Sequence, residues 1–371
     1  TNADDVARLM SGEKATLLHN GGAGWDDETL TGLGTGAGSE LRDLIGFADS
    51  DLMVAVGGSG AIAERVNGVW EKATSPTTYV LHGIYGADES DIWAVGNLGT
   101  ILRRKVGTWA KFTNPTTDAM YGIWGRAATD IFAVGAGGTV AHFDGTEWIL
   151  LRSSTDQSLR AVWGATPSEV FAVGEGPTIM RFDGLFWSPV KVRPDIVDFG
   201  TEQPITDPMF DIAGSGPDTV YAVGQGGTVL QLVRDGGVEF ERLSLAQDPF
   251  PTFRAAVFSP DDGNAMLLGR EGTAVWTGAA IPPTLEHTGT TATLYDAIAF
   301  PAGRIFAVGE RGTVIERTTV VVPGRRPGTE PPPPPPAADT TGGETSGADS
   351  SGADTSTPKP PPGADAAGDV P

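Results

Sequence analysis

Cysteine is absent from all 371 residues. That excludes disulfides, thiolate metal centres and cysteine nucleophiles, and it leaves the redox compartment open. Histidine is scarce. His19, His82, His142 and His287 stand apart, with no HExxH or His-x-His spacing, so no metal is expected. Basic residues are outnumbered, 25 Lys and Arg against 47 Asp and Glu, giving a net charge of −22. Nucleic-acid binding needs clustered cations on phosphates and is not expected here. No apolar run reaches the roughly 18 residues a membrane span needs. There is no Gly-x-Ser-x-Gly elbow, and the glycines of Gly32 to Gly38 lack both the GxGxxG spacing and a following helix. The carboxylate pairs Asp26-Asp27 and Asp261-Asp262 fall in turns, where solvation is their ordinary state. No catalytic residue and no cofactor is assigned. The chain begins at Thr1 rather than Met, so a preceding segment is expected to be missing.

Glycine is abundant, with 52 residues, and the apolar residues fall in short runs. The stretch Met120 to Trp148 reads as one unit of four short strands punctuated by Gly and Asp. The unit recurs seven times. The Gly ending its second strand falls at Gly57, Gly96, Gly135, Gly174, Gly224, Gly269 and Gly309. Three residues on stand Gly60, Gly99, Gly138, Pro177, Gly227, Gly272 and Gly312; the two positions predict a tight turn in which Gly supplies a positive φ. The turn between the first two strands ends in Asp51, Asp91, Asp130, Glu169, Thr219, Asn264 or Arg304, a polar column expected to cap nearby backbone N–H groups. Trp70, Trp109, Trp148, Trp187 and Phe240 form an aromatic column in the fourth strand, expected to pack between neighbouring sheets.

A four-stranded repeat of about 40 residues is the blade of a β-propeller. The expected fold is all-β, with seven four-stranded blades over residues 1–328; eight blades are the alternative. Residues 14–31, with Thr16 to Leu18 and Trp25 in a third/fourth-strand pattern, are expected to close the last blade. Residues 329–371 hold a run of six prolines followed by Gly, Ser, Thr and Asp, and are expected to be a disordered acidic tail. The insertion Ser188 to Pro208 stands between the fourth and fifth copies. A connection that long calls for a role.

The pattern W-G-x-x-x-x-D-[IV]-[FWY]-A-V-G-x-x-G-T-[IV]…D-G-x-x-W resembles the repeats of secreted bacterial β-propellers grouped with the photosystem II stability/assembly-factor-like and Asp-box (BNR, sialidase-like) propellers. The resemblance covers roughly residues 5–322. The Asp-box signature S-x-D-x-G-x-x-W is met in part, since Asp144 and Gly145 are adjacent before Trp148. It implies export to the cell surface, the periplasm or the medium. It carries over none of the sialidase arginines, Tyr–Glu pair or acid Asp.

One column marks a candidate site. Just past the leading apolar residue of each first strand stand Arg42, His82, Tyr121, Arg160, Phe210, Arg254 and Tyr295, large cationic or aromatic groups in every copy. In a propeller the first strand begins at the channel mouth, so these seven predict a ring there, overhung by the Ser188 to Pro208 insertion. The ring suits an anionic or sugar-like ligand held by charge-assisted bonds and stacking. The competing reading has the same side chains plug the channel and pair with Asp43, Asp211 and Asp296 in the next column. The expected function is a non-catalytic, monomeric exported scaffold that binds a protein or glycan partner at this face. The alternatives are an exported carbohydrate-active hydrolase or lyase using the same face, and an assembly factor for a membrane complex.

Overall fold

The computed structural model describes residues 24–27, 30–31, 40–47, 50–197, 201–245, 250–278 and 281–318. Thr16 to Leu18 and the proline-rich tail lie outside the described residues. Among those described there is no α-helix, only strands and single 3-10 turns.

Seven antiparallel sheets form the blades, at residues 41–72, 81–111, 120–151, 159–189, 209–242, 253–287 and 294–318. The seventh takes its outer strand from the start of the chain. Gly24–Asp27 pairs antiparallel with Val314–Thr318, Trp25 opposite Arg317. The ring is therefore latched by the two ends of the folded chain, and its blades number seven. The next two paired residues, Leu30–Thr31, belong elsewhere. They lie parallel to Trp70 and Glu71 as a fifth strand on the first blade.

The near-continuous apolar second strands follow from this geometry. In the third blade Ile131 and Ala133 pack toward the second blade, while Phe132 and Val134 pack toward the fourth. Both faces of a blade are interior, so alternation is not needed. Seven apolar layers result, one at each blade interface, including one where Phe306, Val308 and Val314 meet Leu41 and Trp70. The outer aromatics pack each blade on its predecessor. Trp148 meets Trp93 at 5.6 Å, Trp187 meets Phe132 at 5.9 Å and Phe240 meets Phe171 at 5.6 Å, all edge to face.

Two expectations need correction. In four blades the polar residue ending the first turn meets a side chain on the third strand. Asp91 binds Arg103, Asp130 binds His142 at 2.7 Å, Glu169 binds Arg181 and Arg234, and Arg304 binds Glu316. These residues open the second strand, so their side chains lie beside the third strand, where a polar partner stands 12 residues on. The glycine ending the second strand likewise has no positive φ. Gly135 is extended, with φ −167, and is needed because a Cβ there would lie 2.1 Å from the Ala119 carbonyl oxygen.

The second turn glycine is the left-handed one. Gly138 has φ +74, and its Cβ would stand 2.1 Å from the Thr155 carbonyl. Pro177 occupies the equivalent place in the fourth blade, where a proline cannot take a positive φ; there Gly176, φ +58, carries the left-handed conformation alone. Gly138→Val should therefore lower the unfolding free energy by about 3 kcal/mol or more, read from urea denaturation. A variant as stable as the parent would show that this turn relaxes freely.

Candidate functional site

Each first strand breaks register near its start, and the residue skipped there is the ring candidate; the first strands of the second to fifth blades shift again at their far ends. The ladder skips from Leu41 to Asp43, Leu81 to Gly83, Met120 to Gly122, Leu159 to Ala161, Met209 to Asp211, Phe253 to Ala255 and Leu294 to Asp296. Arg42, His82, Tyr121, Arg160, Phe210, Arg254 and Tyr295 are thus the extra residues of seven β-bulges. A bulge frees one residue from the pleat and re-aims its side chain.

The bulges bring the seven together. His82 meets Tyr121 edge to face at 5.2 Å, and the Arg160 guanidinium lies 5.0 Å from the Tyr121 ring centre. Arg254 covers Phe210 at 3.9 Å, and Arg42 lies 5.8 Å from Tyr295. All seven are partly exposed. Stacking on aromatic rings leaves guanidinium edges available for anions.

A second column, the residue after the turn-opening glycine, faces the ring and was not singled out in the sequence. His82 Nε2 lies 2.8 Å from Asn97 Oδ1, Arg160 is ion-paired with Glu175, and the Tyr295 hydroxyl donates to Glu310 at 3.4 Å. Each partner stands 15 residues beyond its ring residue, a spacing that could have been read from the repeat. Arg42 uses Glu40, at 3.1 Å, instead. The sixth blade departs from this scheme. Its second-column residue is Arg270, exposed and cationic. Among the described residues neither Arg254 nor Arg270 has a carboxylate partner; Arg254 Nε is buried without a hydrogen bond, as are Arg42 Nε and Arg160 Nε.

Electrostatics reinforce that contrast. Burial lowers the pKa of Arg254; the Tyr295 hydroxyl opposes this, while Arg270, Arg160 and Arg42 add to it. An anion arriving there relieves both burial and repulsion. Burial also lowers the pKa of His82, with Arg42 and Arg160 adding to the effect against its bond to Asn97, so it is neutral at pH 7.

The channel carboxylates do not pair with the ring. Asp43 accepts the N–H of Ile84 at 2.7 Å, Asp211 that of Ala256 at 2.8 Å, and Asp296 that of Leu44 at 3.0 Å. Each bond ties a first strand to the first strand of the next blade, whose inner edge has no further strand to satisfy it. Where Gly122 replaces the aspartate, a Cβ would come within 2.7 Å of the Arg160 carbonyl, so those strands approach directly. Burial raises all three carboxyls. Asp43, which also bonds Asp296, is pushed up to about 6, Asp211 to about 7, and Asp296 well above its usual range.

Among the described residues no hydrogen bond or ion pair joins the Ser188 to Pro208 insertion to a ring residue. Lys191–Val192 adds in parallel to the outer strand of the fifth blade, and Arg193 pairs there with Glu239 and Glu241. Asp195, which opens the hairpin formed by Asp195–Val197 and Thr201–Gln203, is held by Arg242 at 2.7 Å. The extra length is spent on the outer edge because the strand it follows runs straight on to the neighbouring blade.

No protein-family model matches the chain, and no curated protein matches it in sequence. Solved structures do match. The chain is similar to YCF48 bound to a D1 peptide, with TM-score 0.62 and 16% identity over 82% of this chain and 100% of that one. It is similar to YCF48 from Cyanidioschyzon merolae, with TM-score 0.62 and 15% identity over 80% and 99%. It is also similar to a catalytically inactive virginiamycin B lyase from Staphylococcus aureus with quinupristin, with TM-score 0.65 and 12% identity over 80% and 99%. At such identities the likeness is one of fold.

Proposed function

We propose that this chain is a non-catalytic, exported, monomeric scaffold that binds a partner at the channel mouth, and that the partner presents a carboxylate. The partner is a protein segment or an acidic glycan. The observation that carries this reading is that Arg254 and Arg270, on a protein of net charge −22, have no carboxylate partner among the described residues. Two arginines side by side offer the donors that grip a carboxylate through charge-assisted bonds. The aromatic ring residues beside them offer faces for stacking. A peptide-bound structural neighbour supports a protein partner. It equally supports the narrower reading, an assembly factor that holds a client segment. Export is supported by the resemblance of the repeats.

The rival reading, a carbohydrate-active hydrolase or lyase on the same face, draws on the similarity to a lyase and on neutral His82 as a base. The two are separated by probing an array of acidic peptides and uronate or sialyl glycans while assaying each for cleavage. The scaffold is expected to bind without turnover. Arg254→Gln/Arg270→Gln should weaken the strongest array ligand at least about tenfold while keeping the melting temperature. Turnover of any glycan would make the chain an enzyme. An array without ligands, or full retention by the double variant, would place the site elsewhere.

A further inference from the structure

The outer strand of each blade is a sheet edge, and among the described residues two blades are covered by a fifth strand from the chain itself. Leu30–Thr31 lies on the first blade and Lys191–Val192 on the fifth, both parallel to the strand they join. The pattern is the same in both. An aliphatic residue sits opposite the aromatic of the outer strand, Leu30 opposite Trp70 and Val192 opposite Phe240. The N–H of Arg193 then donates to the Phe240 carbonyl at 2.7 Å. In both the strand is supplied by the outer strand of the preceding blade running on, from Gly24–Asp27 and from Trp187–Pro189.

Among the described residues the third blade has no such cover. The outer strand before it, Thr108–Lys111, turns within eight residues into the third blade's own first strand at Met120. Its edge also lacks the usual protection against pairing, which charge or proline supplies. The other outer strands carry Glu71 and Lys72, Lys111, Pro189, Glu239 and Arg242, Pro282 and Pro283, or Asp26 and Asp27. The third carries Trp148-Ile149-Leu150-Leu151, with Ile149 39% and Leu150 53% exposed. Trp148 pairs with Phe143 as Phe240 pairs with Leu232, so its carbonyl and the Leu150 N–H point outward, as the Phe240 carbonyl does.

We infer that the third blade takes a fifth strand in trans. The occupant is an extended segment of a partner protein, added in parallel, with an aliphatic residue opposite Trp148 and further aliphatics opposite Ile149 and Leu150. A lysine or arginine precedes them to meet exposed Glu147, as Lys191 meets Glu239 at 3.3 Å on the fifth blade. Backbone pairing provides affinity, and the side chains provide register. This edge is separate from the channel mouth and does not depend on it.

The fourth blade supplies the test variant. Pro189 stands where Leu150 does, opposite Met180 as Leu150 stands opposite Ala141, and the blade still forms. Leu150→Pro should keep the fold while removing the outward N–H. The probe is a fluorescein-labelled acetyl-Thr-Val-Lys-Val-Ile-Val-Thr-amide, titrated into the full chain by anisotropy. Saturable binding is expected, weakened at least about tenfold by Leu150→Pro and by Leu150→Lys. Should Leu150→Pro unfold the protein, Leu150→Lys carries the comparison. No saturable binding by the parent, or equal binding by the folded variants, overturns the inference. So does a parent that sediments as a dimer and becomes a monomer on substitution, because the edge then belongs to a second copy.

Discussion

Raising the pH from 5 to 8 is expected to lower the unfolding free energy by about 3 kcal/mol. The cause is the three channel carboxyls. Asp43 and Asp211 are raised to about 6 and about 7 in the folded state, and Asp296 well above its ordinary value, all chiefly by burial. A carboxyl whose folded pKa is raised gives its full stabilisation below the unfolded value, near 4. It loses that stabilisation as the pH climbs through the folded value. The loss therefore falls mainly between pH 5 and 8. His82 acts against it, since its lowered pKa costs stability as the pH falls below about 6.5. Asp211→Asn isolates the effect. The amide oxygen can still accept the Ala256 N–H, and the charge is gone. That variant should be more stable than the parent at pH 8 by about 2 kcal/mol and show a flatter profile. A parent equally stable at pH 5 and 8, or a variant destabilised at pH 8, would mean that the channel water solvates these groups fully.

Deleting residues 1–31 is expected to unlatch the ring. Val314–Thr318 would lose its outer partner among the described residues, Gly24–Asp27, and the first blade would lose Leu30–Thr31. Two sheet edges would be bared at neighbouring blades, and bared edges pair with other copies. The truncated chain should melt at least about 10 °C lower and aggregate at concentrations where the full chain is monomeric. A peptide spanning residues 20–34, added in excess, should restore part of the loss through mass action. A truncated monomer with the parent's melting temperature would contradict closure by this strand.

The architecture was legible because a blade must repeat. Glycines 39 or more residues apart, apolar second strands and an outer aromatic column are demands of stacking sheets face to face, and all are visible in one chain. The ring column was legible for the same reason, since Arg42, His82 and their counterparts keep one offset from their strand starts. What escaped was whatever depends on register or on a neighbouring blade. No composition signal separates a bulged Arg254 from a paired one. The aspartates after the ring look like its counterions until the geometry places the N–H groups of Leu44, Ile84 and Ala256 nearer. Asp91 and Asp130 look like turn caps until the third strand brings Arg103 and His142 beside them. The need for Gly135 was read as φ and proved to be proximity to a carbonyl. The length of the insertion was visible in the sequence, and its parallel pairing with Glu239 and Phe240 was not.

Amide hydrogen exchange, with and without the strongest acidic ligand from the array, tests the channel-mouth site most directly. Binding there is expected to slow exchange around Arg254 and Arg270, in the turn at Gln225 to Gly227, and nowhere on the opposite face. Protection confined to the outer strands or to the turns near Asp91 and Asp130, with the sixth blade unchanged, would contradict it.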